Sequence, residues 1–86
     1  MNRSQVFAEI RKERSRQLDQ WGGPHQWGNG DCSNPGLPDI VKTAVLAEEC
    51  GEVARAVLDM NPDSLRTKLI QVAAVAVAWL ESFPDE

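Results

Sequence analysis

The chain has 86 residues, with 9 Lys plus Arg against 13 Asp plus Glu and a net charge of −4. That length makes a single domain, 1–86, and excludes a second; the acidic balance, with no continuous basic patch, excludes duplex nucleic acid as a partner. So short a chain buries only about 60 to 65% of the surface its unfolded form exposes, so a metal or a second subunit is a ready source of added stability.

Cys32 and Cys50 are the only cysteines, too few for a secreted disulfide scaffold, and are read as reduced thiols. The first residues, MNRSQVFAEIRKERSR, are charged throughout and lack the apolar core of a signal peptide, so the expected location is the cytoplasm. The longest apolar stretch, Val72 to Leu80, is nine residues. Crossing a bilayer takes about 20, so the stretch reads as a core helix and no membrane partner is expected.

From Ser4 to Gln20 the sequence is rich in Glu, Arg, Gln and Leu without Gly or Pro, which predicts a first helix. Its apolar content (Val6, Phe7, Ile10, Leu18, Trp21) is thin, and such a helix needs neighbours to hold it. Gly22 to Pro38 follows, with five Gly and three Pro among seventeen residues, and reads as a long loop without regular structure. A second helix is predicted from Pro38 to about Met60, since proline suits a first turn and Asp39 complements the positive helix end. Asn61-Pro62-Asp63 repeats that starting signature with a capping side chain, and Pro84 closes a third helix over about Pro62 to Phe83.

No segment alternates at strand period, so the expected fold class is all-α. From Leu69 to Leu80 every residue except Gln71 is apolar, Trp79 among them as a core residue. A helix apolar all round must be surrounded. Two other helices of one short chain can hardly enclose it, which predicts a homo-oligomer, with the Ala-rich run 73–78 allowing close helix approach.

The second helix carries the chemistry. At about 100° per residue, Glu48, Glu52 and Glu49 fall at roughly 0°, 40° and 100°, on one face. Three like charges repel by a few tenths of a kcal/mol per pair unless a cation sits among them, and hard carboxylate oxygens suit Mg²⁺ or Mn²⁺. Leu46, Cys50, Val53 and Val57 form an apolar stripe on the other side, and a solvated surface helix has the same two-faced pattern. Val41 and Val45 lie on the acidic side, which points to a partly covered face. Arg14 and Arg16 are candidates for phosphate oxygens as planar multi-donors, or for pairing with Glu9 and Glu13. Trp21 and Trp27 flank a Gly-Pro-His segment and are candidates for stacking on a base, or packing anchors. His25, Asp31 and Cys32 match no common zinc spacing.

AVLAEECGEVARAVL resembles the Glu-Glu-x-x-Glu helix of the all-α nucleotide pyrophosphohydrolases, and ERSRQLDQWG with LIQVAAVAVAWLE resembles their phage and bacterial MazG-like branch. The resemblance covers all three helices and matches the loop from Gly23 to Leu37 only loosely. It implies helices from two or more subunits forming four-helix bundles, a dimer or tetramer. It also implies Mg²⁺-dependent hydrolysis of a nucleoside triphosphate to monophosphate and pyrophosphate, with Glu48, Glu49 and Glu52 as metal ligands or orienting the attacking water. Lys42 resembles a lysine that the family places ahead of its acidic motif, for phosphate contact. The chain departs from the family at the second acidic pair, Glu-x-x-Asp, where it has Lys68 and Gln71. That departure keeps a second function open, a nucleotide-binding protein or sponge of phage or mobile-element origin with weakened turnover; a third reading is a structural helical dimer.

Overall fold

The computed structural model describes residues 1–85: helix α1 (Arg3–Trp21), short strands β1 (Pro24–His25) and β2 (Gly28–Asn29), and helices α2 (Asp39–Leu58) and α3 (Pro62–Glu81). The fold is mostly helical. The two strands pair antiparallel, Pro24 with Asn29 and His25 with Gly28. This small hairpin corrects the expectation that nothing regular would form between the first two helices. Its turn is Gln26-Trp27, and glycines shape the second strand and the exit from it. Gly28 has φ 146°, and an added Cβ would sit 2.8 Å from Leu37 Cδ1; Gly30 has φ 84° and meets the Asn34 side chain at 3.0 Å.

Local chemistry sets the helix ends. Asn2 Oδ1 accepts from the Gln5 backbone N–H while Gln5 Oε1 accepts from that of Asn2, both at 2.9 Å, a reciprocal capping box at the start of α1. Asn61 Oδ1 accepts from Ser64 N–H at 3.1 Å and Pro62 occupies the first turn of α3, as its sequence predicts. Helix α2 ends in a Schellman pair: the Asn61 N–H donates to Ala56 C=O and the Met60 N–H to Val57 C=O. Met60 is the left-handed residue there, at φ 53°.

Helix α3 is the one on which both α1 and α2 pack. It buries Ala74, Val75 and Ala78, and the last two meet Cys32 of the loop with Val45 and Leu46 of α2 packed beside them. Leu37 is buried as well, so the segment before α2 contributes two core residues rather than lying over the surface. Trp79 is half-buried rather than enclosed. Of the apolar stripe read on α2, Leu46 and Val53 are half-buried whereas Cys50 and Val57 are exposed. Both cysteines are free thiols. None of the described helices is long and apolar enough to cross a membrane.

Candidate functional site

A cleft opens where the end of α1, the hairpin and the first half of α2 meet. Its floor is aliphatic, from Leu37, Val41, Val45 and Val75 together with Cys32; Trp21, His25 and Trp27 form one wall, and Arg16 and Glu49 stand at the other. The three rings form a triangle: Trp21 meets His25 edge-on at 5.8 Å and Trp27 at 6.4 Å, and His25 lies 6.1 Å from Trp27. His25 is fixed by both ring nitrogens, since Nε2–H donates to Gly30 C=O at 2.8 Å and Nδ1 accepts the Trp27 backbone N–H at 3.3 Å. Both tryptophans remain partly open to solvent, so a ring face is free to receive a flat ligand.

Glu49 is the cleft's unusual group. Its Oε2 atom is buried and has no hydrogen-bond partner. Burial pushes its pKa up, the charge of Glu52 and a hydrogen bond between the two carboxyls push it further, Lys68 opposes them, and Glu48 adds a smaller push upward. Glu52 lies one turn on, its Oε2 3.4 Å from Lys68 Nζ. Glu48 is exposed and borders a neighbouring depression with Trp27, Ile40, Val41, Ala44 and Val45. The acidic side of α2 is thus partly covered, as Val41 and Val45 indicated, with Glu48 left exposed. Only Glu49 and Glu52 converge, and among the described residues no three His, Cys, Asp or Glu side chains come close enough to hold a metal ion by themselves.

The two arginines separate. Arg14 Nη1 donates to Asp31 Oδ2 at 2.8 Å and Nε to Glu81 Oε2 at 2.8 Å, so its guanidinium ties the loop to the end of α3 and does not line the cleft. The Glu81 hydrogen bond, working against burial, holds Arg14 firmly charged. Burial acts to raise Asp31, but hydrogen bonds from the Ser33 hydroxyl and N–H and from Arg14 outweigh it and hold the carboxyl below its ordinary range. Arg16 does line the cleft; it pairs with Glu13 at 2.6 Å and with Gln20 at 2.7 Å on its open side.

Lys42 is 1% exposed, the largest fully enclosed side chain, and is not on the cleft's lining. Lys68 and Gln71 also lie off the lining; the Gln71 carbonyl accepts from Gln17 Nε2 at 3.5 Å. Sequence reading missed Gln17, a buried residue of α1 whose amide also donates to Glu13 Oε2 at 3.2 Å. Only its place among charged neighbours distinguished it, and that signal is weak. Burial, then the Asp31 charge, push the Cys32 thiol up and keep it protonated. With Cys32 a neutral thiol, His25 tied at both nitrogens and Asp31 paired to Arg14, these three residues make no zinc site.

The cleft therefore offers an aromatic wall, an aliphatic floor and an end formed by Glu49 and Arg16, with Glu52 and Lys68 off its lining. No family model, curated protein or solved structure matches the chain.

Proposed function

We propose that the protein is a Mg²⁺-dependent nucleoside triphosphate pyrophosphohydrolase acting on the cytoplasmic nucleotide pool. One observation carries this reading: a buried carboxylate oxygen without a partner, on Glu49, shares one cleft with the exposed faces of Trp21 and Trp27. An orphaned buried acceptor is costly unless a ligand completes it. Two converging carboxylates also suit a magnesium ion, which is usually bound through one or two carboxylates plus substrate phosphates rather than an all-protein cage. Glu49 and Glu52 would hold the ion, with Glu48 at the rim. A bound divalent ion offsets phosphate charge and lowers the pKa of coordinated water. The chain's own residues do the rest: the tryptophans stack on the base, Arg16 faces the phosphates from the rim, and the aliphatic floor excludes water.

The working form in this proposal is a homo-oligomer, dimer or tetramer, in which α2 and α3 of each copy contribute to a four-helix bundle. Its support is the exposure of large apolar side chains on and just after α3, Leu69, Leu80 and Phe83.

The Lys68–Glu52 ion pair favours the second reading, a nucleotide-binding protein whose turnover is weak, because a cation already answers part of the acidic charge. One experiment separates the readings. A panel of ribo- and deoxynucleoside triphosphates is titrated with Mg²⁺ or Mn²⁺ while tryptophan fluorescence and pyrophosphate release are followed. Quenching with pyrophosphate release supports the enzyme; quenching alone supports the binding protein. Neither, at millimolar nucleotide, would remove both.

A further inference from the structure

We infer that Gln17 reads the base of the bound nucleotide: its side-chain carbonyl accepts a hydrogen bond from an exocyclic amino group, so the cleft prefers amino-bearing bases to their counterparts without that group. The inference rests on the nucleotide reading above and names the part of the ligand that the cleft selects.

Gln17 is 8% exposed and lines the cleft, but not the depression that Glu13 and Arg16 share with Arg66. Its Nε2 group donates to Glu13 Oε2 at 3.2 Å and to the Gln71 carbonyl at 3.5 Å. Both partners can only accept, so the amide cannot be turned over, and both of its N–H groups are engaged. Neither Glu13 nor Gln71 lines the cleft, so the polar atom that Gln17 has left for it is Oε1. No donor among the described residues reaches that oxygen. Among the same residues the fully buried side-chain atom without a partner is Glu49 Oε2, so Gln17 Oε1 is open to solvent, and the cleft is where that solvent lies.

A fixed neutral acceptor repels phosphate and carboxylate oxygens and is satisfied only by an N–H or O–H group. Its place on α1 directs it to the base. Gln17 and Trp21 stand one turn apart on that helix and both line the cleft. Side chains so spaced are neighbours on one face, with Cβ atoms about 5 to 6 Å apart. A base lying on the Trp21 ring therefore turns an edge to Gln17. An exocyclic amino group projects beyond the ring and meets the oxygen, whereas a hydrogen in its place leaves the acceptor unpaired. Burial and two hydrogen bonds hold the amide in position beforehand, so little side-chain freedom is lost when the ligand arrives.

The test uses pairs of ligands that differ by one amino group. Guanosine is set against inosine, and cytidine and adenosine each against its form lacking the exocyclic amino group, all as triphosphate analogues whose α–β bridge is methylene, so that nothing is cleaved. Equilibrium dialysis with Mg²⁺ measures each on the full chain. The native protein should bind the amino form about fivefold to tenfold more tightly in at least one pair, the scale of one neutral hydrogen bond. Gln17→Met keeps the length of the side chain without its acceptor, and should bind the two members of that pair equally. A purely structural role for Gln17 would weaken both members alike and leave their ratio intact. Circular dichroism confirms folding, and the native ratios carry the test alone if Gln17→Met does not fold. Equal affinities in all three pairs, or a preference that survives in folded Gln17→Met, would overturn the proposal while leaving the nucleotide reading standing. No analogue binding by the native chain would overturn that reading and this proposal together.

Discussion

The two sides of the α2–α3 pair are built on opposite rules. On the cleft side, polar and charged groups are drawn inward and several are paired: Asp31 with Arg14 and Ser33, Glu52 with Lys68, Gln17 with Glu13 and the Gln71 carbonyl, while a Glu49 oxygen has no partner. Away from the cleft, large apolar groups stand exposed: Leu58 on α2, Leu80 on α3 and Phe83 just after it, with Leu80 68% exposed. A buried acceptor without a partner points to a small ligand, whereas uncovered apolar side chains point to another protein surface. The comparison assigns different partners to the two sides, and each can be broken separately.

The largest effect is expected on the outer side. Leu80→Asp puts a charge where the bundle would be packed, and should raise the dissociation constant of the assembly by at least about 100-fold, because burying an unpaired carboxylate is strongly unfavourable. Light scattering at micromolar concentration should show an oligomer for the native chain and a monomer for the variant, with nucleotide-induced fluorescence changes retained in proportion to folded protein. A native chain that is already a folded monomer would leave the outer face unexplained by self-association.

Next comes the network under the hairpin. Asp31→Asn removes the carboxylate that the Arg14 guanidinium holds at 2.8 Å, with the Asp31 side chain only 5% exposed, and should cost about 2 kcal/mol, or roughly 10 °C in melting temperature for a chain of this size. Asp31 is held below its ordinary value of 3.8. Its contribution is therefore present above that pH and is lost as pH falls through the lower folded value, so the gap between variant and native should close in acid. A gap that persists unchanged at low pH contradicts the ion-pair account.

Glu49→Gln sharpens the contrast, since it should trade ligand binding for stability. The native carboxyl is raised above 4.5, so its favourable contribution is complete below that pH and is lost as pH rises through the folded value. Chemical denaturation should find the variant no more stable than native in acid and more stable at pH 7, with the Mg²⁺-dependent part of nucleotide binding gone. Equal stability at every pH would mean that the buried oxygen is not strained at all.

The smallest effect lies away from both sides. Met60→Gly relieves a left-handed residue at φ 53°, 87% exposed, and should add about 0.5 to 1 kcal/mol, read as a rise in denaturation midpoint at constant slope.

What the sequence made legible follows the range of the interactions. Helix starts are local: Asn61-Pro62 announced α3, and Val41 with Val45 announced that the acidic side of α2 is partly covered. Asn2-x-x-Gln5 carried the capping box in the same short-range way, although the charged run after it drew attention elsewhere. Non-local facts were not legible. Arg14 meets Glu81 67 positions away, so nothing near Arg14 told that its guanidinium is engaged. Cys32 and Leu37 sit in a Gly- and Pro-rich segment whose composition says loop, yet they fill the core, because helices α2 and α3 alone leave Val75 and Ala78 uncovered on that side. The hairpin depends on the φ values of two particular glycines among five in the segment, which composition does not single out.

Both readings of the cleft rest on a nucleotide binding between the tryptophans and Glu49, and the chain carries three indole N–H reporters, Trp21, Trp27 and Trp79, of which only the first two line that cleft. A heteronuclear NMR titration with Mg²⁺ and a non-hydrolysable nucleoside triphosphate analogue therefore tests the central claim most directly. The account predicts saturable shifts of the Trp21 and Trp27 indole signals and of the backbone around Glu49 and Glu52, with Trp79 unmoved by direct contact. Shifts confined to Trp79, or none at any nucleotide concentration up to the millimolar range, would contradict it.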